Sequence, residues 1–233
     1  MFRVWGGQVE FLCGGPVGPL TFNSLILPAG FPEGRPIKII TDSIGKALPN
    51  NRLWYHVLMS GKSLSDATER IYEHSIAIGG LRVIVFHLGT NSICFRNWGH
   101  IMTWQQRLEQ LKEEVKSLHQ AVRQFNGTAF VIFSAVLPRK CDWMETRELY
   151  FGFNRALRQF CRSKNCGFMT TYNSFIHKSG PCKDQPLAHL FARNDGGLHL
   201  NLAGRYIFSE RFKMALSPKQ LLAMAKCAGF KYV

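Results

Sequence analysis

From Pro36 onward, short apolar runs alternate with longer stretches whose apolar residues recur every three or four positions. Runs of four to eight residues rich in Ile, Val and Phe are what buried strands require, and a step of three or four places side chains on one face of a helix. The pattern predicts strands over 37–40, 54–59, 81–88, 129–136 and 167–172. It predicts helices over 65–77, 104–125 and 145–162, and a last one starting near 201. The helix over 104–125 is the clearest. Leu108, Leu111, Val115, Leu118, Val122 and Phe125 form a single stripe, Thr103 with Gln106 makes a capping box, and Gly127 supplies a stop.

Strands alternating with helices through five strands predict an α/β fold: a three-layer α/β/α sandwich around a five-stranded parallel sheet. The folded domain is expected over 36–216. Residues 1–35 are rich in Gly and Pro without a period and read as an irregular leader, and residues 217–233 read as a C-terminal extension. In such sheets ligands bind beyond the carboxyl ends of the strands, so the loops after the first three strands are where chemistry is sought.

Composition changes this picture little. With 233 residues, 46% hydrophobic and 19% charged, the chain suits one globular domain, and it contains no apolar run long enough to span a bilayer. No signal-peptide layout opens it. Seven scattered cysteines without a C-x-x-C pair predict free thiols, no zinc site and an intracellular, cytoplasmic setting. The net charge of +14 does add something. Such a field attracts nucleic acid or anionic membrane, although dispersed Lys and Arg also simply solvate helix faces.

Four loop segments carry candidate chemistry. Thr41-Asp42-Ser43 follows the first strand and exposes a serine at the sheet edge, where Asp-Ser would equally cap a helix. Gly61, after the second strand, brings a backbone N–H close to a ligand or simply makes a turn. Asn91, in Gly89-Thr90-Asn91 after the third strand, offers its amide to an oxyanion or forms an Asx-turn. Near the C-terminus, Asp195 and His199 bring an acid and a base together just before a helix. A histidine takes a serine's proton only when something holds its tautomer, and a carboxylate on the other ring nitrogen does so.

The order Ser43, Gly61, Asn91, then Asp195 and His199 resembles the SGNH hydrolase superfamily, also called GDSL lipases and esterases, over about residues 36–216. Leu200-Asn201-Leu202-Ala203-Gly204 resembles that family's last block. The chain is also similar to the esterase-like domains of some animal retroelements. The resemblance implies a flavodoxin-like SGNH fold and hydrolysis of small acyl esters through an acyl-enzyme, with no metal or organic cofactor. It implies Ser43 as nucleophile, His199 as general base and acid, and Asp195 as the orienting acid, with an oxyanion hole built from Ser43 N–H, Gly61 N–H and the Asn91 amide. Two positions depart from the family: Thr41 stands where a Gly is usual, and Asp195 precedes His199 by four residues instead of three. With the +14 charge, the second departure supports an alternative: a weak or inactive module on the same fold that binds nucleic acid or anionic membrane.

Overall fold

A computed structural model describes residues 37–49 and 54–229. The expected leader, residues 1–35, lies outside them. Five parallel strands form one sheet in the order β2-β1-β3-β4-β5, which is the doubly wound flavodoxin arrangement. They are β1 (Ile37–Thr41), β2 (Trp54–Leu58), β3 (Val83–His87), β4 (Phe130–Ser134) and β5 (Gly167–Met169). β2 to β5 are shorter than their apolar runs, because the runs continue into buried loops: Leu88, Ala135, Val136 and Leu137 remain in the core beyond the last ladder bonds.

Helices cover both faces. On one side, α1 (Leu64–Tyr72), α2 (Trp104–Phe125) and α3 (Trp143–Ser163) pack on Ile40, Ile84, Phe86, Val131 and Phe133. On the other, α4 (Leu202–Ala215) and α5 (Pro218–Cys227) pack on Ile37, Ile39, Val85, Phe130 and Ile132. The α2 bounds match the periodic stripe, and the Thr103–Gln106 capping box closes both ways. α1 stops before its expected end. Glu73 and His74 close the helix with N–H bonds to Glu69 and Ile71, His74 taking a positive φ of 58°. Ile76 and Ile78 stay buried beyond it, so the apolar signal outlasts the helix. Residues 218–227, inside the expected extension, form α5 and bury Leu221, Met224 and Ala225 in the second core cluster.

Cys94, Cys141, Cys161, Cys166 and Cys182 carry the expected free thiols. Cys227 departs from that expectation and is disulfide-bonded. Among the described residues, no helix is long and apolar enough to cross a membrane.

α4 approaches the segment before it closely. A Cβ placed on Gly204 would lie 2.2 Å from the Leu190 carbonyl oxygen, a backbone atom that has little room to retreat. Asn201 locks the same junction, its Nδ2 donating to the His189 carbonyl at 2.7 Å and its Oδ1 capping the Gly204 N–H at 3.0 Å. Gly204→Ala is therefore expected to destabilise the fold by about 1–3 kcal/mol, as overpacking does. Urea unfolding would measure it, and a midpoint within error of the wild type would refute this account of the helix docking.

Candidate active site

The carboxyl end of β1 leads directly into a 3-10 turn, Ser43–Ala47. Asp42 shapes this turn, its Oδ1 accepting the Ile44 N–H at 3.0 Å. Thr41, which departs from the family pattern, is fully buried and fills space left by Gly45. A Cβ on Gly45 would fall 2.0 Å from Thr41 Cγ2. The residue pair Thr-x-x-x-Gly thus keeps the turn compact with the bulk moved four positions upstream.

Ser43 Oγ lies 3.0 Å from His199 Nε2, and His199 Nδ1 lies 2.7 Å from Asp195 Oδ2. The tautomer that satisfies both bonds carries its proton on Nδ1, donates it to the carboxylate, and leaves Nε2 to accept from the Ser43 hydroxyl. The extra residue between Asp195 and His199 is absorbed by the Gly pair. Gly196 (φ 69°) and Gly197 (φ 93°) both take left-handed backbone, which turns the chain so that the acid folds back over the histidine. Asp195 Oδ1 accepts the Gly197 and Leu198 N–H groups, each at 3.0 Å, and Oδ2 also accepts the His199 N–H at 3.2 Å. Partial burial opposes ionisation of Asp195, but the bonds from His199, Gly197 and Leu198 outweigh it and hold the carboxyl below its ordinary range.

Gly61 has a positive φ of 73°, and nothing lies within 4 Å of where its Cβ would be. The Asn91 Nδ2 donates to the Lys62 carbonyl at 3.2 Å, which ties the third loop to the second. One of its two amide hydrogens remains. Among the described residues, the Ser43 and Gly61 N–H groups have no hydrogen-bond partner. A groove of about 890 Å³ between α1 and α2 is lined by Asp66, Glu69, Glu109, Glu113 and Glu114, and none of these site residues lies in it.

No family model matches the chain, and no curated protein matches its sequence. Solved structures do match its fold. A protein assigned as an acylhydrolase from Bacteroides fragilis superposes with a TM-score of 0.59 at 15% identity, over 85% of this chain and 92% of that one. A GDSL-like lipase from Bacteroides thetaiotaomicron does so with a TM-score of 0.58 at 14% identity, over 80% and 91%. An acetylxylan esterase from Geobacillus stearothermophilus gives 0.56 at 14% identity, over 86% and 97%. The chain has the GDSL lipase and esterase fold. That last esterase was crystallised as catalytic mutants of a serine, an aspartate and a histidine.

In this GDSL fold the loop after β4, which the sequence reading passed over, joins the two halves of the site. Arg139 is buried and donates from Nη1 to the Thr90 carbonyl at 3.2 Å, next to Asn91. Its Nε donates to Asp142 Oδ1 at 2.9 Å, while Asp142 Oδ2 accepts the Phe95 N–H at 3.0 Å. The next residue, Lys140, donates its backbone N–H to the Gly197 carbonyl at 3.2 Å. One short loop therefore holds both the Asn91 segment and the Asp195–His199 turn. The available signal was positional: this loop also follows the carboxyl end of a parallel strand, and an Arg with an Asp three residues on is suited to bind itself and its neighbours.

Proposed function

We propose that the protein is a serine hydrolase that cleaves small carboxylic esters through an acyl-enzyme. The observation that carries this reading is the hydrogen-bonded line Ser43–His199–Asp195 at the carboxyl edge of the sheet. Ser43 Oγ attacks the acyl carbon while His199 Nε2 takes its proton, and Asp195 stabilises the imidazolium that forms. The carbonyl oxygen becomes an oxyanion that accepts from the Ser43 N–H, the Gly61 N–H and the remaining Asn91 amide hydrogen. Collapse of the tetrahedral adduct expels the alcohol, which takes the proton from His199. Water then attacks the acyl-enzyme, His199 accepts its proton, and Ser43 Oγ recovers that proton as the acid leaves. The fold neighbours, among them a GDSL-like lipase and an acetylxylan esterase, support ester chemistry on this scaffold.

A fluorophosphonate probe tests the nucleophile directly, because it reacts only with an activated serine. The expected result is one adduct on the peptide carrying Ser43, lost when the wild type is replaced by His199→Ala. A folded protein that takes up no label, or takes it elsewhere, would overturn the assignment. The net charge of +14 supports a second reading, a module of this fold that binds nucleic acid or anionic membrane. That reading requires salt-sensitive binding that persists in Ser43→Ala.

A further inference from the structure

Asn91, the side-chain donor proposed for the oxyanion, sits in a loop whose carbonyls can be followed one by one. The Gly89 carbonyl accepts the Ile93 N–H at 2.9 Å, and the Asn91 carbonyl accepts the Cys94 N–H at 3.3 Å, so the loop closes on itself through these two. The Asn91 carbonyl takes a second bond from Asn97 Nδ2 at 2.8 Å. Thr90 and Ser92 are buried as well, and among the described residues no backbone N–H reaches either of their carbonyls. Buried backbone acceptors need partners, and both of these find a guanidinium. Arg139 Nη1 donates to the Thr90 carbonyl at 3.2 Å from the loop after β4, and Arg107 Nε donates to the Ser92 carbonyl at 3.0 Å from α2.

Arg107 is itself held from behind. Its Nη1 donates to Glu114 Oε1 at 2.7 Å, with the two side chains only 13% and 17% exposed, and to Gln110 Oε1 at 3.1 Å. The Lys112–Glu109 and Lys116–Glu113 pairs on the same helix join helix residues to each other, whereas Arg107 carries its bond out of the helix to another segment. A largely buried ion pair adds little to stability over apolar residues of the same volume. What this one supplies is direction: Glu114 and Gln110 fix one arm of a planar fork, which leaves Nε aimed at Ser92.

Ser92 is fixed at a second point. Its Oγ accepts the Leu64 N–H at 3.2 Å, at the start of α1. The turn just before α1 carries Gly61 and Lys62, and the Lys62 carbonyl takes one of the two Asn91 amide hydrogens at 3.2 Å. The residue after Asn91 is thus bonded to α2 through its carbonyl and to α1 through its hydroxyl. The residue before Asn91 is bonded to Arg139. Where the second amide hydrogen points is set by this backbone and by Lys62.

We propose that Arg107 is a positioning residue for ester cleavage: through the Ser92 carbonyl it completes, with Arg139, a clamp on the backbone around Asn91 that aims the free Asn91 amide hydrogen at the oxyanion. The inference rests on the serine-hydrolase reading. Arg107 has no hydrogen bond to Ser43, His199 or Asp195, so its effect on rate passes through Asn91. Loss of an oxyanion donor costs about 10²- to 10³-fold, and a displaced donor costs part of that.

The test is a double-mutant cycle on the full chain, with kcat/KM for p-nitrophenyl acetate as the readout: wild type, Asn91→Ala, Arg107→Met, and the two changes together. Arg107→Met is expected to lose about tenfold when Asn91 is present and less than about twofold when it is already alanine. Arg107→Lys goes through the same cycle, because it keeps the charge beside Glu114 and loses only the fork. It is expected to lose about threefold with Asn91 present and nothing measurable without it. A merely structural role, or a direct pull of the charge on the oxyanion, would give the same factor in both backgrounds, and that result from either variant overturns the proposal. So does a wild-type rate in Arg107→Met with Asn91 in place. Should Arg107→Met not fold, the Arg107→Lys cycle decides by the same rule. Failure of the underlying reading shows before Arg107 is touched: a wild type that does not cleave the ester overturns the hydrolase, and an Asn91→Ala variant as fast as the wild type overturns the oxyanion role of Asn91, each taking this proposal with it.

Discussion

Replacing Ser43 by alanine is expected to lower kcat/KM for p-nitrophenyl acetate by about 10⁵-fold while leaving the fold intact. Removal of a serine nucleophile that works as one unit with its base costs on that order, and a residual rate survives from binding and the oxyanion donors. The fold should tolerate the change because the Ser43 hydroxyl has His199 as its partner, whereas the turn is shaped by the Asp42 carboxylate and the Ile44 N–H. Ser43 is also only partly buried, so no cavity forms. Initial rates and a thermal melt recorded side by side decide the matter. A variant that melts like the wild type and hydrolyses at the wild-type rate would remove Ser43 from the chemistry.

Asp195→Asn is expected to cost about 10³- to 10⁴-fold in kcat and, unlike Ser43→Ala, to destabilise the protein as well. Both carboxylate oxygens accept: Oδ1 from the Gly197 and Leu198 N–H groups, Oδ2 from His199 N–H and Nδ1–H. An asparagine has one acceptor oxygen, so its amide must face donors on one side. If it faces His199, the ring must accept at Nδ1, its proton moves to Nε2, and Nε2 no longer accepts from Ser43. If it faces the Gly197–Leu198 pair, the turn loses its two backbone bonds, at about 1–2 kcal/mol. The wild-type carboxyl ionises more readily folded than unfolded, so its contribution is present above the ordinary carboxylate pKa and fades as pH falls through the lowered folded value. The stability gap between wild type and Asp195→Asn should accordingly narrow on acidification, which melts at pH 7 and pH 3 would reveal. A kcat within threefold of the wild type would mean that His199 keeps its tautomer by other means.

Periodicity reported the elements well where one face alone is buried. The α2 stripe and its Thr103–Gln106 box defined both ends of that helix, since amphipathic spacing and capping are local properties of the chain. It reported less where burial is not tied to regular backbone. Ile76 and Ile78 are buried but follow the left-handed turn at His74, and Leu88 and Val136 lie in core beyond their strands. Apolar spacing registers burial and not φ, so such residues extend an apparent element past its true end. α5 went unseen because its apolar side chains become meaningful only against Ile37, Ile39 and Val85, which are far away in sequence.

The candidate site divides along the same line. The strand-turn position of Ser43, the Gly at 61, the Asn at 91 and the Asp–His pair were legible in the sequence, because each depends on residue type within a few positions. That Asp195 meets His199 across four residues depended on left-handed φ at Gly196 and Gly197 and on the bond from Lys140 that holds the Gly197 carbonyl. The Arg139 clamp on Thr90 and a buried line from Thr171 through Ser134 to His87 join segments 35 to 50 residues apart. The sequence by itself thus determined which candidate groups stand in the loops around the sheet, and in what order. The tertiary structure decided which of them touch, because a hydrogen bond fails beyond a few tenths of an ångström and only long-range packing sets distance that finely.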